Sequence, residues 1–492
     1  MGFATSIPTP SSPAGLLLTL LCAGSFIQVV HVQYTPDWKS LDSRPLPGWY
    51  DQGKIGIFIH LGVFSVPSFG NEWFVQFWKV NKIPSYVEFM KKNYPPDFNY
   101  GDFAADLKME FFDPYSWAKI FNASGAKYIV FVSKHAEGYT NWPSKTSFNW
   151  NSMDVGAKRD IVGELEEAVR STTSLKFGMY HCLYEWINPL YLQDKANNFT
   201  TQEFPKTKTL PALYEMVKRY RPDIVWSDGD WEAPDDYWMS KEFLAWLYNE
   251  SPVKDHVLTN DRWGKGVKCT HGGFWDCGDR FNPGYLIPHK WEQCMTLDKT
   301  SWGFRRNAPL ADYLSIEELL LVLARTISCG GNLLVNVGPT KYGQIDPLME
   351  ERLRQMGQWL HVNGEAIYGS KVWTFQNDTL NPDVWYTSKS ASNGINTTVY
   401  AIFLSWPRSS VLSLGGPRPS SQTKVTLVGY QGAAAFTFKN RSQGGIDVTL
   451  PNIPVSLMPG KWAWVLRLEG LANQKPVLPS KKELMKKMDK LR

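Results

Sequence analysis

The sequence predicts an α/β fold, a (β/α)8-like (TIM) barrel followed by a C-terminal antiparallel β-sandwich. Between about residues 50 and 365, short apolar runs alternate with amphipathic helical segments, which is typical of parallel strands joined by crossover helices. These strands are spread over about 300 residues, which fits a closed barrel better than a doubly wound sheet. Beyond about residue 371 the strand-like runs are separated by turn residues at short intervals, as in a sandwich.

The barrel elements follow from the hydrophobic pattern. Its strands are predicted at residues 55–60, 128–133, 177–180, 224–227, 257–260 and 333–337. Its helices are predicted at residues 113–121, 160–170, 211–220, 241–248, 316–328 and 349–362. The sandwich strands are predicted at residues 384–387, 398–404, 424–428, 446–450 and 462–468. Since no glycine-rich phosphate-binding turn follows any predicted strand, the pattern argues against a nucleotide-binding protein.

The predicted domains are a signal peptide at residues 1–32, the barrel at 33–368, the sandwich at 369–470 and a basic tail at 471–492. The apolar run at residues 16–23 is too short to span a bilayer and fits a signal peptide, although no Lys or Arg precedes it. The tail carries an apolar stripe at helical spacing. It predicts either a solvated helix or one that binds a membrane surface or a partner.

Composition favours a secreted globular protein. The charge balance of 52 Lys and Arg against 47 Asp and Glu, a net +5 over 492 residues, is too weak to favour nucleic-acid binding. The 22 Trp residues suit either sugar recognition or a large aromatic core. Six sequons support the secretory route, at Asn122, Asn198, Asn249, Asn377, Asn396 and Asn440.

Five cysteines follow the predicted signal peptide, so at least one is a free thiol or forms an intermolecular bond. Cys269 and Cys277 flank a glycine-rich loop and are the best candidates for a disulfide. No Cys or His spacing typical of zinc sites is present, and we expect no structural metal.

Polar residues end several predicted strands, and in a parallel barrel these ends form the active site. They are His60, His135, Tyr180, Asp228 and Arg262. Asp228 closes an apolar strand and precedes Gly229, so it is either a catalytic carboxylate or the cap of the next helix. Trp226 lies two residues earlier and therefore shares its face of the strand.

Glycoside hydrolysis, the chemistry that these residues suit, requires a second carboxyl group as acid/base. Asp279, on a glycine-rich loop, and Glu292, which follows an indole and is placed where a strand could end, are the two candidates. The sequence does not choose between them. Arg262 or Arg280 could pair with one of the two and hold it ionised.

Several longer motifs resemble glycoside hydrolase family 29, the α-L-fucosidases. They are Trp226-Ser227-Asp228-Gly229, Asn260-Asp261-Arg262-Trp263-Gly264, His289-Lys290-Trp291-Glu292-Gln293-Cys294 and Ser301-Trp302-Gly303. The resemblance implies a barrel with a C-terminal sandwich and exo-cleavage of terminal α-linked fucose from glycans with net retention. It also implies a secreted or lysosomal location and a homo-oligomer, and the chemistry requires no cofactor.

The same resemblance assigns residues. It implies that Asp228 is the nucleophile, and that the fucose contacts are His60, Glu72, Trp73, His135, Tyr180, Trp226 and Arg262. Cys294 belongs to a family signature, and we interpret it as structural because the chemistry needs no thiol. The acid/base is not given by a fixed motif.

Three positions depart from the family pattern. Ala136 and Asn188 stand where the family has His, and Leu61 stands where it has Trp. We expect Ala136 to remove one hydrogen bond to the sugar, a loss of about two- to a hundredfold in binding or rate. These departures motivate one alternative, a fucose-binding protein with reduced or lost turnover. A metal-dependent barrel hydrolase is a further alternative, which a chelator would test.

Overall fold

A computed structural model describes residues 33–391 and 396–489 of the chain. The predicted signal peptide lies outside the described residues. The barrel contains seven parallel strands, which are β1 Ile55–Ile59, β2 Tyr128–Lys134, β3 Lys176–Cys182, β4 Ile224–Asp228, β5 Leu258–Thr259, β6 Glu292–Thr296 and β7 Asn332–Val337. All six strands predicted for the barrel are confirmed, and β6 is the one that the hydrophobic pattern does not predict.

The strands pair in the order β5-β4-β3-β2-β1-β7-β6. An irregular segment, residues 274–276, fills the gap between β5 and β6. The Phe274 amide donates to the Thr259 carbonyl on β5 (3.0 Å), and Trp275 forms a parallel bridge with Trp291, next to β6. This segment completes the closed barrel, and the buried strands explain the continuous apolar runs in the sequence.

Helices cover the outside of the barrel. The described helices are α1 Trp38–Leu41, α2 Gly48–Gly53, α3 Pro84–Asn93, α4 Pro114–Ala123, α5 Ile161–Thr172, α6 Pro189–Ala196, α7 Leu210–Tyr220, α8 Asp235–Trp238, α9 Ser240–Asn249, α10 Ile316–Ser328, α11 Pro347–Asn363 and α12 Lys481–Asp489. Their starts follow local chemistry. The Ser315 and Glu318 side chains form a capping box before α10, and Asp346 caps α11 ahead of Pro347.

The C-terminal region contains two antiparallel sheets. Their strands are β8 Val384–Ser390, β9 Thr397–Phe403, β10 Val411–Leu414, β11 Lys424–Leu427, β12 Thr437–Asn440, β13 Ile446–Thr449 and β14 Trp464–Glu469. One sheet has the order β11-β14-β9-β8 and the other β10-β13-β12. Along β9, Val399 and Ala401 face the sandwich core while Tyr400 and Ile402 face the barrel, so both faces of this strand are buried.

The basic tail ends in α12, which packs against the barrel. Met488 is buried, Met485 is partly buried, and the Lys487 ammonium lies 4.2 Å from the centre of the Tyr285 ring. The prediction of a solvated or partner-binding helix is therefore wrong for its apolar side, which the chain's own barrel covers. None of the helices in the described ranges is long and apolar enough to cross a membrane.

Candidate active site

A cavity opens at the carboxyl ends of the barrel strands. The cavity is lined by Phe58, His60, Glu72, Trp73, His135, Tyr180, Trp226, Asp228, Trp231, Arg262, Asp279, Cys294 and Trp302. All seven predicted sugar contacts therefore surround one space together with Asp228.

Asp228 is the last residue of β4, and its two carboxylate oxygens have different partners. Oδ2 accepts a hydrogen bond from the Tyr180 hydroxyl (2.7 Å), and Oδ1 accepts one from Nη1 of Arg262 (3.0 Å). Gly229 follows with a φ of +88°, and a Cβ there would lie 2.6 Å from the buried Tyr184 ring. The chain can therefore turn sharply after Asp228 only because glycine occupies this position.

Arg262 is buried and bonds three carboxylates. Besides Asp228, its Nη2 donates to Oδ1 of Asp276 and to Oδ1 of Asp279, the latter at 2.8 Å. Burial raises the pKa of Asp276 to about 6 despite the positive charge of Arg262. The pKa of Arg262 itself is raised, because the attraction of the three carboxylates outweighs its burial. Arg262 thus remains charged and fixes the distance between Asp228 and Asp279.

Asp279 lies on the loop that follows the Cys269–Cys277 disulfide, and that predicted pairing is confirmed. Its side chain is 50% exposed at the mouth of the cavity. Burial of its inner part would raise the pKa of Asp279, but the charge and hydrogen bond of Arg262 lower it. In this state Asp279 is therefore a carboxylate, and a weaker bond to Arg262 would favour its protonation.

Glu292 does not line the cavity. It begins β6 rather than ending a strand, as the sequence had suggested, and it is fully buried beneath the cavity floor. Its Oε2 accepts hydrogen bonds from the hydroxyls of Tyr50 (2.9 Å) and Tyr128 (2.6 Å), and its Oε1 accepts one from Nε1 of Trp226 (3.1 Å). Burial raises the pKa of Glu292 to about 7.

The pKa values of the two strand-end histidines shift in opposite directions. Burial and the nearby His135 lower the pKa of His60 to about 3, so this ring is neutral. Its Nδ1 donates to Oδ1 of Asn336 (2.6 Å), whose amide nitrogen is fixed by the Trp302 carbonyl, and Nε2 remains as an acceptor. Burial would lower the pKa of His135, but the Glu137 carboxylate, 3.3 Å from Nδ1, raises it.

Glu72 and Trp73 come from the segment after β1. Oε2 of the buried Glu72 accepts from the backbone amide of Trp302 (2.9 Å), which ties this segment to the Ser301-Trp302-Gly303 motif. The centre of the Trp73 ring lies 5.1 Å from the ring centre of Trp186 and 6.1 Å from that of Trp231. These contacts build one aromatic wall of the cavity.

Trp226 forms the floor. Its ring stacks on Tyr180 at 5.6 Å, contacts Phe58 at 5.2 Å, and lies 4.9 Å from the guanidinium carbon of Arg262. Cys294 is a buried free thiol that lines the cavity, and burial raises its pKa.

The three departures from the family pattern lie outside the cavity wall. Ala136 is buried, and its carbonyl accepts from the Trp186 amide (2.8 Å). The Leu61 carbonyl accepts from Nδ2 of Asn141 (2.8 Å). Asn188 caps α6 and donates to Oε2 of Glu185 (2.8 Å). Only Asn188 acts through its side chain, because the carbonyls at positions 61 and 136 would accept the same bonds with any residue there.

Four lining or supporting residues are absent from the sequence prediction, namely Phe58, Trp231, Asp276 and Trp302. Phe58 lies two residues before His60 and therefore shares its face of the extended chain, so the strand alternation could have found Phe58. Asp276 ends the irregular segment 274–276, which is too short for a strand pattern to detect. Among the described residues, the only metal-like grouping joins Asp261 to Cys269 and Cys277, whose thiols form the disulfide.

The six sequons differ in their surroundings. Asn122, Asn198, Asn396 and Asn440 are exposed. Nδ2 of Asn377 donates to the carbonyls of Pro382 (2.9 Å) and Val384 (2.8 Å), and Nδ2 of Asn249 donates to the Tyr34 carbonyl (2.7 Å). At these last two sites, the nitrogen that would carry a glycan is already bonded within the fold.

Comparison with known proteins gives consistent matches along the chain. Residues 22–365 match the family model described as alpha-L-fucosidase, and residues 376–469 match the alpha-L-fucosidase C-terminal domain. The chain is 57% identical to the plasma alpha-L-fucosidase of Homo sapiens, over 89% of this chain and 92% of that protein. It is 50% identical to the tissue alpha-L-fucosidase of Homo sapiens, over 94% of this chain and 98% of that protein.

The structure also resembles solved structures. The alpha-fucosidase of Thermotoga maritima in complex with fucose superposes with a TM-score of 0.75 at 31% identity, covering 88% of this chain and 100% of that one. The match extends over both the barrel and the C-terminal sheets.

Proposed function

The chain belongs to the α-L-fucosidases, and from that membership we propose that it is a retaining exo-α-L-fucosidase with Asp228 as its nucleophile. It releases terminal α-linked L-fucose from fucosylated glycans. The observation that carries the proposal is that one guanidinium, Arg262, joins the carboxylates of Asp228 and Asp279 at a single cavity. Retaining glycoside hydrolysis requires such a pair.

In the first step, an Asp228 oxygen attacks the anomeric carbon of fucose. The bond to the leaving oxygen breaks, and its electron pair stays on that oxygen, which takes a proton from the acid/base. The Tyr180 hydroxyl and the Arg262 guanidinium donate to the two Asp228 oxygens and orient the carboxylate for the attack. In the second step, the acid/base removes a proton from water, and the water oxygen displaces Asp228 from the sugar.

Two observations support Asp279, rather than Glu292, as the acid/base. Asp279 lines the cavity, whereas Glu292 is sealed beneath Trp226 with its oxygens already accepting three hydrogen bonds. Sugar entry that competes for Arg262 frees Asp279 to take up a proton in the less polar, substrate-filled site. Glu292 then serves to orient the floor indole.

Recognition of the sugar follows from the remaining walls. His60, Glu72, His135 and the Trp73 indole nitrogen provide hydrogen-bonding groups for ring hydroxyls, and the faces of Trp226 and Phe58 suit the fucose methyl. We place the protein in the secretory route, either secreted or lysosomal. The Cys269–Cys277 disulfide and the exposed sequons support that placement, as do the relatives named plasma and tissue α-L-fucosidase.

The test is hydrolysis of an aryl α-L-fucoside by the protein and three variants. Asp228→Ala should abolish turnover, whereas tight fucose binding without turnover in the unmodified protein would favour the fucose-binding alternative. With an activated substrate and added azide, Asp279→Ala should recover rate and yield fucosyl azide, and Glu292→Ala should not respond. Azide rescue confined to Glu292→Ala would reverse the acid/base assignment.

A further inference from the structure

Two cavity-lining side chains, and only two among the thirteen, are exposed. They are Asp279, with 50% of its side chain exposed, and Trp231, at 39%. The other lining residues are buried or half-buried, so these two mark the mouth through which the sugar enters. An exposed indole at the mouth of a polar cavity is an unusual use of a large apolar group, and such exposure commonly marks a binding surface.

The Trp231 ring is held in place from two sides. The buried Tyr184 ring meets it edge-on at 5.8 Å, and Trp73 stacks near-parallel to it at 6.1 Å with an interplanar angle of 19°. Tyr184 is itself stacked on Tyr191 at 5.5 Å. Trp231 is therefore a supported platform, and its remaining surface faces solvent next to the cavity.

The chemistry of the site fixes what lies on this platform. In the proposed reaction, fucose fills the buried cavity and the leaving oxygen points to Asp279 at the mouth. The group attached to that oxygen must therefore leave the cavity between Asp279 and Trp231. A pyranose presents an apolar C–H face that packs on an indole, which is how aromatic side chains bind sugars without a fixed pattern of hydroxyl contacts.

We infer that Trp231, supported by Trp73 and Tyr184, forms the subsite for the sugar to which fucose is attached, and that this subsite favours a pyranose as the leaving group. The inference rests on the proposed function and adds the class of leaving group to it. It also predicts that Trp231 contributes little to the binding of fucose itself.

The experiment compares two substrates that share fucose and differ in the leaving group. Fucosyl fluoride has no group that reaches Trp231, and an α-L-fucosyl-pyranose disaccharide has one; an aryl fucoside is unsuitable because an aryl ring also stacks on indole. Trp231→Ala should lower kcat/KM for the disaccharide about 5- to 30-fold more than kcat/KM for the fluoride, and the loss on the fluoride measures any movement of the neighbouring Trp73. The kcat/KM of Trp231→Phe for the disaccharide should lie between that of the unmodified protein and that of Trp231→Ala. Phe148→Ala, which removes an aromatic side chain that is 83% exposed outside the cavity, is the matched control.

Binding measurements make the outcome independent of turnover. In an Asp228→Ala background, calorimetry should show that Trp231→Ala weakens binding of the disaccharide more than binding of free fucose, by a similar factor. Equal losses on both ligands, or no loss on the disaccharide, would overturn the subsite. If the unmodified protein hydrolyses neither substrate, the proposed function fails, and the binding pair still decides the role of Trp231.

Discussion

Glu292→Gln should change how the stability of the protein depends on pH. Glu292 is fully buried, and burial raises its pKa from 4.5 to about 7. In the unfolded chain the carboxyl loses its proton near its ordinary value. Between about pH 4.5 and 7 the folded protein thus holds one proton more at this site than the unfolded chain, and folding stability falls as pH rises through that window.

The size of the effect follows from the shift. A difference of one pKa unit corresponds to about 1.4 kcal/mol, so a rise from 4.5 to about 7 corresponds to about 3 kcal/mol of unfolding free energy. This contribution is complete below pH 4.5 and lost above about pH 7. Gln at position 292 does not ionise, so the variant should lack it. Gln also replaces one of the two acceptor oxygens with an NH2 group, which would face either the Trp226 indole N–H or the two tyrosine hydroxyls, and this sets a constant offset that does not depend on pH.

The assay is urea unfolding of both proteins at pH 5 and pH 8, followed by circular dichroism. The stability of the native protein relative to Glu292→Gln should fall by about 3 kcal/mol between the two pH values. Glu317→Gln, which changes an exposed carboxyl on α10, is the matched control and should show no such difference. Parallel pH dependence in the native protein and Glu292→Gln would refute the argument. Loss of turnover in Glu292→Gln by several orders of magnitude at unchanged stability would return Glu292 to the acid/base role.

Three further predictions concern the surroundings of the site. Asp276→Ala should lower the free energy of unfolding in urea by about 3 kcal/mol, because Arg262 loses a fully buried partner. The control is Asp447→Ala, which removes a surface pair with Arg441 and should leave the free energy of unfolding nearly unchanged. Equal effects of the two substitutions would contradict the burial argument. Replacing Cys269 and Cys277 with Ser opens a short loop and should lower the free energy of unfolding by about 2–3 kcal/mol. The kcat should also fall, because Asp276 and Asp279 flank Cys277. A loss of stability with kcat unchanged would show that the disulfide does not position the loop. In protein secreted from animal cells, mass spectrometry of peptides should find glycans on Asn122, Asn198, Asn396 and Asn440 but not on Asn377 or Asn249; full occupancy at Asn377 would mean that its two backbone hydrogen bonds are dispensable.

The sequence predicts the regular parts of this molecule well, because buried parallel strands leave long apolar runs. Asp228, His60, His135 and Tyr180 lie in or immediately after such runs, so their position at one rim follows from the barrel alone. The identity of most sugar contacts required the family resemblance, since a strand-end His or Tyr has many structural roles.

What the sequence does not predict lies between β5 and β6. The segment 274–276 is too short for a period-two pattern, so Asp276 remained hidden in a glycine-rich loop. Glu292 follows Trp291 in a short strand-like run, and the sequence does not show which end of that strand faces the cavity. In the structure Glu292 is the first residue of β6. The apolar side of α12 is buried through contacts with residues about 200 positions earlier in the chain, and the spacing of residues within the helix cannot predict such contacts.

The gap between β5 and β6, which the segment 274–276 fills, separates two parts of the active site whose sequences can change to different degrees during evolution. The proposed nucleophile, Asp228, lies on a strand with regular neighbours on both sides, so an insertion there would shift the register of the whole sheet. Asp279 lies on the loop that follows this segment. The Cys269–Cys277 disulfide and Arg262 hold that loop in place. Such a loop can lengthen, shorten or exchange its carboxylate without disturbing the barrel. A lineage built on this fold can therefore relocate its proton donor while it keeps its nucleophile.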